Sequence, residues 1–304
     1  MQKWLYTKGL HDLGNGCYAY LQPDGTWGYS NAGLIVDAGE SLLIDTLMDL
    51  KLTQEMLSRM RAAEPAAATI GTLVNTHSNP DHTNGNQLIA NAQVIASTAC
   101  LEEMKEQTSA PRYPMTAEAG AFFQEVLGSR FDLTGIRPAL PSRTFDRELT
   151  LHVGTKELHL LELGPAHTRG DIVIHMPADR TVFTGDILFV DGHPVIWAGP
   201  VGNWVRACDR ILEWDGPNMK FNNISDTEKV STWSEMFDIG KMMAAANAAA
   251  TVPSNTSSGI PSAMPLGIAV TSSSRNRDAC RALRATSETP FLLLSSSSSV
   301  RMGR

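Results

Sequence analysis

The most informative segment of this chain reads Asn75-Thr76-His77-Ser78-Asn79-Pro80-Asp81-His82-Thr83-Asn84-Gly85-Asn86. Three strong metal ligands, His77, Asp81 and His82, fall within six consecutive positions. They come directly after an apolar run that predicts a buried strand. A loop at the end of a strand directs its side chains toward one point, and a proline and a glycine restrain this loop. Imidazole and carboxylate together suit zinc, and less specifically iron or manganese. The segment therefore predicts a metal site.

Two later segments place similar side chains at the ends of predicted strands. The first is Gly164-Pro165-Ala166-His167-Thr168-Arg169-Gly170-Asp171, and the second is Phe183-Thr184-Gly185-Asp186. A lone histidine or a Gly-Asp pair after a strand is usually ordinary turn chemistry. Three such strand ends in this order gain significance together, and His167 and Asp186 are the candidate residues of the later two.

In this arrangement the chain resembles the metallo-β-lactamase superfamily of metallohydrolases. The family signature H-x-H-x-D-H-x-x-G is similar to the stretch from His77 to Gly85, and the later ligands of the family match His167 and Asp186. The stretch Leu43-Ile44-Asp45-Thr46 also resembles the N-terminal strand of the family. The resemblance covers the chain from about Leu10 to Asp215.

The resemblance implies an α+β fold, a four-layer αββα sandwich with a metal site along one edge of its two sheets. It implies that His77 and His167 hold a first metal, with Asn79 at the position of the second motif histidine. Asp81 and His82 would hold a second metal, and Asp186 would bridge the two. The implied cofactor is one or two zinc ions, with iron or manganese as alternatives.

Two departures from the family pattern concern these ligands. Asn79 offers only a neutral carbonyl oxygen where the family has imidazole, so we expect a weaker first site. Alternatively, Asn79 only hydrogen-bonds a metal-bound water. The family also has a late histidine ligand, but this chain contains no histidine after His193. His193 itself, one short loop after Asp186, is a further candidate ligand.

The function that this site implies is hydrolysis of a small-molecule substrate by a metal-bound hydroxide. The reactive group would be the carbonyl of an ester, lactone, thioester or β-lactam. Asp81 is the predicted catalytic residue, which orients the water and passes a proton to the leaving group. One alternative is a non-haem iron oxygenase that uses His77, His167 and Asp186. The other is a catalytically degraded, non-enzymatic homologue. Four aromatic residues are candidates for lining a substrate pocket: Tyr18, Trp27, Tyr29 and Trp197.

Composition excludes several classes of protein. The 304 residues carry a formal net charge of −7, which argues against a nucleic-acid-binding protein. No apolar stretch approaches the ~20 residues of a membrane-spanning helix, and the N-terminus does not resemble a signal peptide. We therefore expect a cytoplasmic protein with no membrane partner and with reduced, mostly buried cysteines. The sequence leaves the oligomeric state open.

Composition also divides the chain into two regions. Residues 1–215 carry the metallo-β-lactamase-like pattern, with its C-terminal part missing or altered. Residues 216–304 are rich in Ser, Ala and Pro, offer no clear strand, and are expected to be largely disordered. Within the first region, buried strands are predicted over Ala32 to Asp37, Ser41 to Asp45, Thr69 to Asn75, Val94 to Ala96, Glu148 to Val153, Glu157 to Leu163, Asp171 to Met176 and Thr181 to Thr184. Helical patterns cover Leu50 to Ala63, Asn84 to Ala90, Thr98 to Gln107, Thr116 to Leu127 and Asn203 to Trp214.

Overall fold

A computed structural model describes residues 7–22, 28–109, 127–189, 195–214 and 220–222 of the chain. In these ranges the strands are β1 (Gly9–Gly14), β2 (Cys17–Leu21), β3 (Ala32–Asp37), β4 (Glu40–Ile44), β5 (Thr72–Val74), β6 (Gln93–Ser97), β7 (Arg143–Phe145), β8 (Glu148–Val153), β9 (Lys156–Glu162), β10 (Ile172–Met176), β11 (Thr181–Phe183) and β12 (Lys220–Asn222). The α-helices are α1 (Leu50–Ala63), α2 (Pro80–Thr83), α3 (Thr98–Ser109) and α4 (Val201–Glu213).

The strands form two mixed sheets. The seven-stranded sheet has the order β1-β2-β3-β4-β5-β6-β7, antiparallel as far as β4 and parallel from there on. The five-stranded sheet has the order β12-β11-β10-β9-β8, in which only β11 and β12 are parallel. Because β4 and β5 are parallel neighbours, their carboxyl ends meet at one edge of the sheet. That edge carries the residues described below.

The layers follow from which face of each element is apolar. Between the sheets lies a core that includes Ile44 and Val74 from one sheet and Leu160 and Ile174 from the other. The outer face of the seven-stranded sheet is covered by α1, through side chains such as Met56. The outer face of the five-stranded sheet is covered by α4, whose Trp204, Cys208 and Ile211 are fully buried. The α+β architecture, an αββα sandwich, is therefore confirmed.

Most predicted elements form close to their predicted bounds, and α1 spans the predicted residues. The strands β1, β2 and β7 were not predicted. The edge strand β1 contains polar residues and β7 has only three positions, so both show little apolar periodicity. The sequence of β2, CYAYL, is mostly apolar, and sequence reasoning missed it. In the region after Asp215, where the sequence shows no clear strand, Lys220–Asn222 pairs with β11.

Several predictions fall wholly or mainly outside the described ranges. These are the helix over Thr116 to Leu127, the roles of Trp27 and His193, and the disorder of residues 223–304. Within the described part, Cys17, Cys100 and Cys208 are buried free thiols, as predicted. No helix in that part has the length and apolar character needed to cross a membrane.

Candidate metal centre

The candidate site is assembled from the ends of three strands. After β5 the chain enters the loop that carries His77 and Asn79, and then α2, which begins at Pro80 and carries Asp81 and His82. Proline suits the first helical position because its missing N–H would have no partner there. The turn between β9 and β10 carries His167, and the turn after β11 carries Asp186. The backbone N–H of Ile172 donates to the carbonyl of Thr76 (2.9 Å) and so joins the two sheets at this edge.

The structure brings the predicted residues together around the Asp186 carboxylate. Its Oδ1 lies 3.3 Å from Nε2 of His82, and its Oδ2 lies 3.3 Å from Nε2 of His167 and 3.9 Å from Nε2 of His77. Asp81 is adjacent, with Oδ2 3.8 Å from Nε2 of His82. The side chains of His77, His82, His167 and Asp186 are at most 5% exposed, whereas Asp81 is 15% exposed.

A metal ion suits three of these residues best. One ligand atom each from His77, His82 and Asp186 lies within 4.8 Å of the other two, and all three residues are buried. Nε2 of His82 and Oδ1 of Asp186 lie 3.3 Å apart, and within the described part of the chain neither atom has a well-aligned hydrogen-bond partner. Buried polar atoms are normally paired, so this arrangement favours a ligand that the protein atoms do not supply. Two imidazoles and one carboxylate are a suitable donor set for zinc, iron or manganese.

Asp45, at the end of β4, orients both of these histidines. Its Oδ2 accepts from Nδ1 of His82 (3.0 Å) and from Oγ1 of Thr76 (2.6 Å), and Thr76 Oγ1 in turn lies 3.0 Å from Nδ1 of His77. Its Oδ1 accepts from the Thr76 backbone N–H (2.7 Å). Protons on both Nδ1 atoms leave each Nε2 as the ring nitrogen that faces the site.

Sequence reasoning had not given Asp45 any role at the site. The one signal was its place in the strand that resembles the family. Its φ of +59° is left-handed, a conformation that Asp tolerates better than most residues. This backbone turn directs the carboxylate of a fully buried residue back toward the loop after β5.

Asn79 faces His167 across the site. Its Nδ2 lies 2.9 Å from Nε2 of His167, while Nδ1 of His167 donates to the carbonyl of Val195 (2.6 Å). The His167 turn is closed by Asp171, whose carboxylate accepts from both N–H and Oγ1 of Thr168. Both nitrogens of the His167 ring therefore have protein partners.

One buried carboxylate on α3 joins the two histidine loops. Glu103 is 4% exposed, and its Oε2 accepts from Oγ of Ser78 (2.9 Å) and from the backbone N–H of Arg169 (3.2 Å). Its Oε1 lies 3.3 Å from Nε of Arg169. Ser78 follows His77, and Arg169 comes two residues after His167. Glu103 therefore holds the two loops at a fixed separation.

Gly185 lets the turn after β11 approach the first loop. Its φ is +51°, and a Cβ built at this position would lie 2.9 Å from the Thr76 side chain. Only glycine fits such a contact in a left-handed conformation without strain. The Gly-Asp pair in the sequence therefore reflects a steric requirement that places Asp186 beside the histidines.

Burial and the neighbouring charges shift the pKa values of the site residues in opposite directions. Burial alone raises the pKa of Asp186, but His82, His77 and His167 together hold it below its usual range. Burial alone lowers the pKa of His82, but Asp186 and Asp81 hold it well above its usual value. Burial, assisted by Asp186 and opposed by His82, raises the pKa of Asp81 to about 6. A cation that replaced the His82 proton would be held by the same carboxylates, so metal binding would release a proton.

The aromatic residues that were candidates for lining a substrate pocket lie in different parts of the fold. Trp197 lies beside the site, with its ring centroid 6.5 Å from that of His167. Tyr29 packs on Phe131 (4.8 Å between ring centroids). Tyr18 instead donates to Glu64 at the end of α1 and packs with the outer layer that α1 covers.

Comparison with known proteins agrees with this geometry. A family model described as the metallo-beta-lactamase superfamily matches residues 25–217. A solved structure of a metallo-beta-lactamase from Pontibacter korlensis superposes with a TM-score of 0.52 at 16% identity, covering 72% of this chain and 91% of that one. At that identity the likeness shows the fold alone.

Curated relatives of this chain include an acyl-coenzyme A thioesterase from several animals. The chain is 25% identical over 195 residues to the acyl-coenzyme A thioesterase MBLAC2 of Bos taurus, which covers 60% of this chain and 67% of that protein. It is 29% identical over 80 residues to MBLAC2 of Gallus gallus, covering 26% of this chain and 28% of that protein. The chain thus spans at most about two thirds of the length of these relatives.

Proposed function

The chain belongs to the metallo-beta-lactamase superfamily, and from this premise we propose that it is a metal-dependent hydrolase of thioester bonds. The observation that carries the proposal is the buried cluster of His77, His82 and Asp186, with ligand atoms within 4.8 Å of one another. Buried charged groups of this kind are normally paired with one another or coordinate a metal ion. The family, the burial and the donor set all support a metal-dependent reaction.

Each residue of the cluster has a separate task in this proposal. His77, His82 and Asp186 would hold the metal, and Asp45 would hold both imidazoles in the tautomer that ligates. A bound zinc ion would supply an acidified water and polarise a substrate carbonyl. Asp81 is more exposed than the ligands and has a pKa raised to about 6 by its burial. Its Oδ2 would take the proton of the attacking water and deliver it to the leaving group.

The substrate class rests on the relatives. MBLAC2 is named as an acyl-coenzyme A thioesterase, and it is similar to this chain over 60% of the sequence. A thiolate is a weaker base than an alkoxide and therefore a better leaving group. Hydrolysis of a thioester depends less than that of an ester on proton transfer from Asp81 to the leaving group. Esters, lactones and β-lactams share the attacked carbonyl and remain the comparison substrates for the test.

The test uses the full chain, stripped of metal with a chelator and reloaded with Zn²⁺. We expect hydrolysis of an acyl-coenzyme A thioester by the zinc-loaded protein, little by the stripped protein, and slower turnover of an oxygen ester, a lactone and a β-lactam. Asp81→Asn should lower kcat by about 100-fold. The matched control is Asp37→Asn, since Asp37 accepts from Thr155 at the opposite end of the sheet. Zinc-independent hydrolysis, or a preference for another substrate, would contradict the proposal.

A second candidate is supported by the ligand set itself. Two histidines and one carboxylate also form the ligand set of non-haem Fe(II) oxygenases. His77, His82 and Asp186 are such a set, and His167, with Nε2 3.3 Å from Oδ2 of Asp186, belongs to the predicted one. Metal analysis of the protein as purified separates the candidates, since an oxygenase would contain iron and consume oxygen. A protein that takes up no metal would instead fit the degraded homologue.

A further inference from the structure

A second group of metal-binding side chains lies on the outer face of the five-stranded sheet. Along β9, Leu158 is buried in the core between the sheets, so its neighbours Glu157 and His159 point to the opposite face. Along β8, Val153 is buried in the same core, and its neighbour His152 therefore points outward as well. The alternation of the two strands thus places two imidazoles and one carboxylate on one surface.

The register of the β8–β9 hairpin brings these three side chains together. His152 is directly opposite Glu157, and His159 lies two residues farther along β9 on the same face. The turn of the hairpin is hydrogen-bonded to Asp37 at the far end of β3, whereas His167 follows the other end of β9. The group therefore lies at the end of the sandwich opposite the candidate metal centre.

The carboxylate of Glu157 contacts both imidazoles, one with each oxygen. Oε1 lies 2.8 Å from Nε2 of His159, and Oε2 lies 3.6 Å from Nε2 of His152. The ligand atoms of these three described residues do not all lie within 4.8 Å of one another, as those of the buried cluster do. The side chains of His159, Glu157 and His152 are 35%, 54% and 60% exposed, so changes of rotamer can close them around an ion.

These contacts contribute little as ion pairs but suit a metal ion. Exposed ion pairs add little to the stability of a fold. Imidazole and carboxylate are, by contrast, ligands that zinc and other divalent transition metals share. The ligands come from two strands, and β8 is the last strand at its end of the five-stranded sheet. A bound ion would therefore cross-link an edge strand to its neighbour.

We propose that His152, Glu157 and His159 form a second metal site, which takes a divalent transition-metal ion such as zinc. Two imidazole nitrogens and one carboxylate oxygen would be its protein ligands, and water would complete the coordination because the site is open to solvent. Binding is weaker than at the buried cluster, since three exposed side chains lose rotamer freedom when they close on the ion. The proposal does not depend on the proposed hydrolase, because the two sites share no residue.

The test is a zinc titration of the untagged full-length protein at about pH 7.5, where an ordinary histidine is unprotonated. The protein is stripped with a chelator, and bound zinc is measured by equilibrium dialysis over a range of free Zn²⁺ concentrations. The imidazole signals of the eight histidines are followed by NMR in the same titration. We expect saturable shifts of the His152 and His159 signals. We also expect one zinc ion more per chain than in the double variant His152→Gln/His159→Gln.

Two further variants examine the carboxylate and the specificity of binding. Glu157→Gln removes the charge and should weaken zinc binding at this site by at least about tenfold, the smallest effect that loss of even an outer partner typically has. His11→Gln is the matched control, because His11 is also a partly exposed strand histidine, but its Nε2 lies 2.6 Å from the carbonyl oxygen of Thr7. It should bind as much zinc as the unaltered protein. Thermal unfolding without zinc verifies that each variant is folded.

The outcomes separate this site from the candidate metal centre. Equal zinc content in the double variant and the unaltered protein would overturn the proposal. An equal loss of zinc in His11→Gln would also overturn it, because binding would then be a general property of exposed histidines. Shifts of His77 and His82 alone would contradict the second site and leave the proposed hydrolase standing. Shifts of His152 and His159 alone would support the second site and contradict the hydrolase.

Discussion

At the scale of single residues, Asp45 orients two histidines of the site through hydrogen bonds. It holds His82 directly and His77 through Thr76. Replacement by Asn keeps the volume and tolerates the left-handed backbone, but replaces one acceptor oxygen by an amide nitrogen. We predict that Asp45→Asn lowers zinc affinity by about 10–100-fold, as loss of such an outer partner typically does. Competitive titration with a chromogenic chelator measures the effect.

The control for Asp45 is a carboxylate with similar hydrogen bonds elsewhere. Asp37 accepts from the backbone N–H (2.6 Å) and Oγ1 (2.7 Å) of Thr155 at the far end of β3. Asp37→Asn should leave zinc affinity unchanged. Equal affinities in the two variants would show that Asp45 stabilises the fold without orienting the histidines.

Residue types at strand ends, together with the family resemblance, allowed six candidate site residues to be chosen, and the structure brings all six close together. Histidine and aspartate after strands are a local pattern, whereas Asn79 was chosen from its place in the family motif. The roles of Asp45 and Asn79 depend on contacts between residues 37 and 88 positions apart. No local pattern contains such a pair. The choice of Asn79 and His167 as ligands stays a prediction.

At the scale of elements, α3 links the two histidine loops through Glu103. Glu103→Gln keeps the side-chain volume but removes the charge and one of the acceptor oxygens that Ser78 and Arg169 use. We predict about a tenfold loss of zinc affinity and a destabilisation of about 1–3 kcal/mol, because a buried donor loses its acceptor. Zinc titration and chemical denaturation measure the two effects.

The same helix supplies the matched control. Glu106 also pairs with Arg169 (2.7 Å), but its side chain is 67% exposed. Exposed ion pairs contribute little to stability. Glu106→Gln should therefore change neither zinc affinity nor stability measurably. An effect of Glu106→Gln as large as that of Glu103→Gln would mean that Arg169, rather than the link between the loops, matters.

The contact between β10 and α4 should make stability sensitive to acid. His175 stacks on Trp214 (4.2 Å between ring centroids), and burial, with the charges of His159 and Arg210, lowers its pKa to about 4. In the unfolded chain His175 binds a proton near pH 6.5, whereas in the folded protein it does so only near pH 4. The contribution of His175 to stability is therefore fully present above pH 6.5 and is lost as the pH falls from 6.5 to 4. His175 is half-buried, so we expect about 1–2 kcal/mol. In His175→Phe this part of the acid-dependent loss of stability should be absent when the free energy of unfolding is measured with urea at each pH. If the free energy of unfolding of the variant falls with pH in parallel with that of the unaltered protein, the prediction is contradicted.

The elements that could be predicted share an apolar pattern that a single sequence window contains. The helix α1 repeats apolar residues at helical spacing, and β3 and β4 are apolar runs on either side of a turn, so all three were predicted nearly to the residue. By contrast, β7 and β12 have three residues each and form because a neighbouring strand offers an unpaired edge. That edge is a property of the folded sheet, so a single sequence window does not reveal it.

At the scale of the whole molecule, the two sheets meet at the edge that carries the site. A hydrogen bond from Ile172 to Thr76 joins them there, and the turn after β11 supplies Asp186. The strand β12 covers the β11 edge of the five-stranded sheet through parallel pairing, with Phe183 opposite Asn222. The position of Asp186 therefore depends on how well β11 is held, and β12 is the last described element that holds it.

This dependence leads to a prediction for two truncations. Removal of residues 216–304 takes away β12 and exposes the edge of β11. The loss of a few backbone hydrogen bonds, each worth about 1 kcal/mol, should lower the melting temperature by about 5–10 °C and weaken zinc binding.

Removal of residues 251–304 retains β12 and takes away a Ser- and Pro-rich segment without a histidine. It should leave both quantities nearly unchanged, and limited proteolysis of the full chain should cut first between residues 253 and 274. If the shorter deletion unfolds the protein, or if that segment resists the protease, the C-terminal region packs on the sandwich and its composition is a misleading guide.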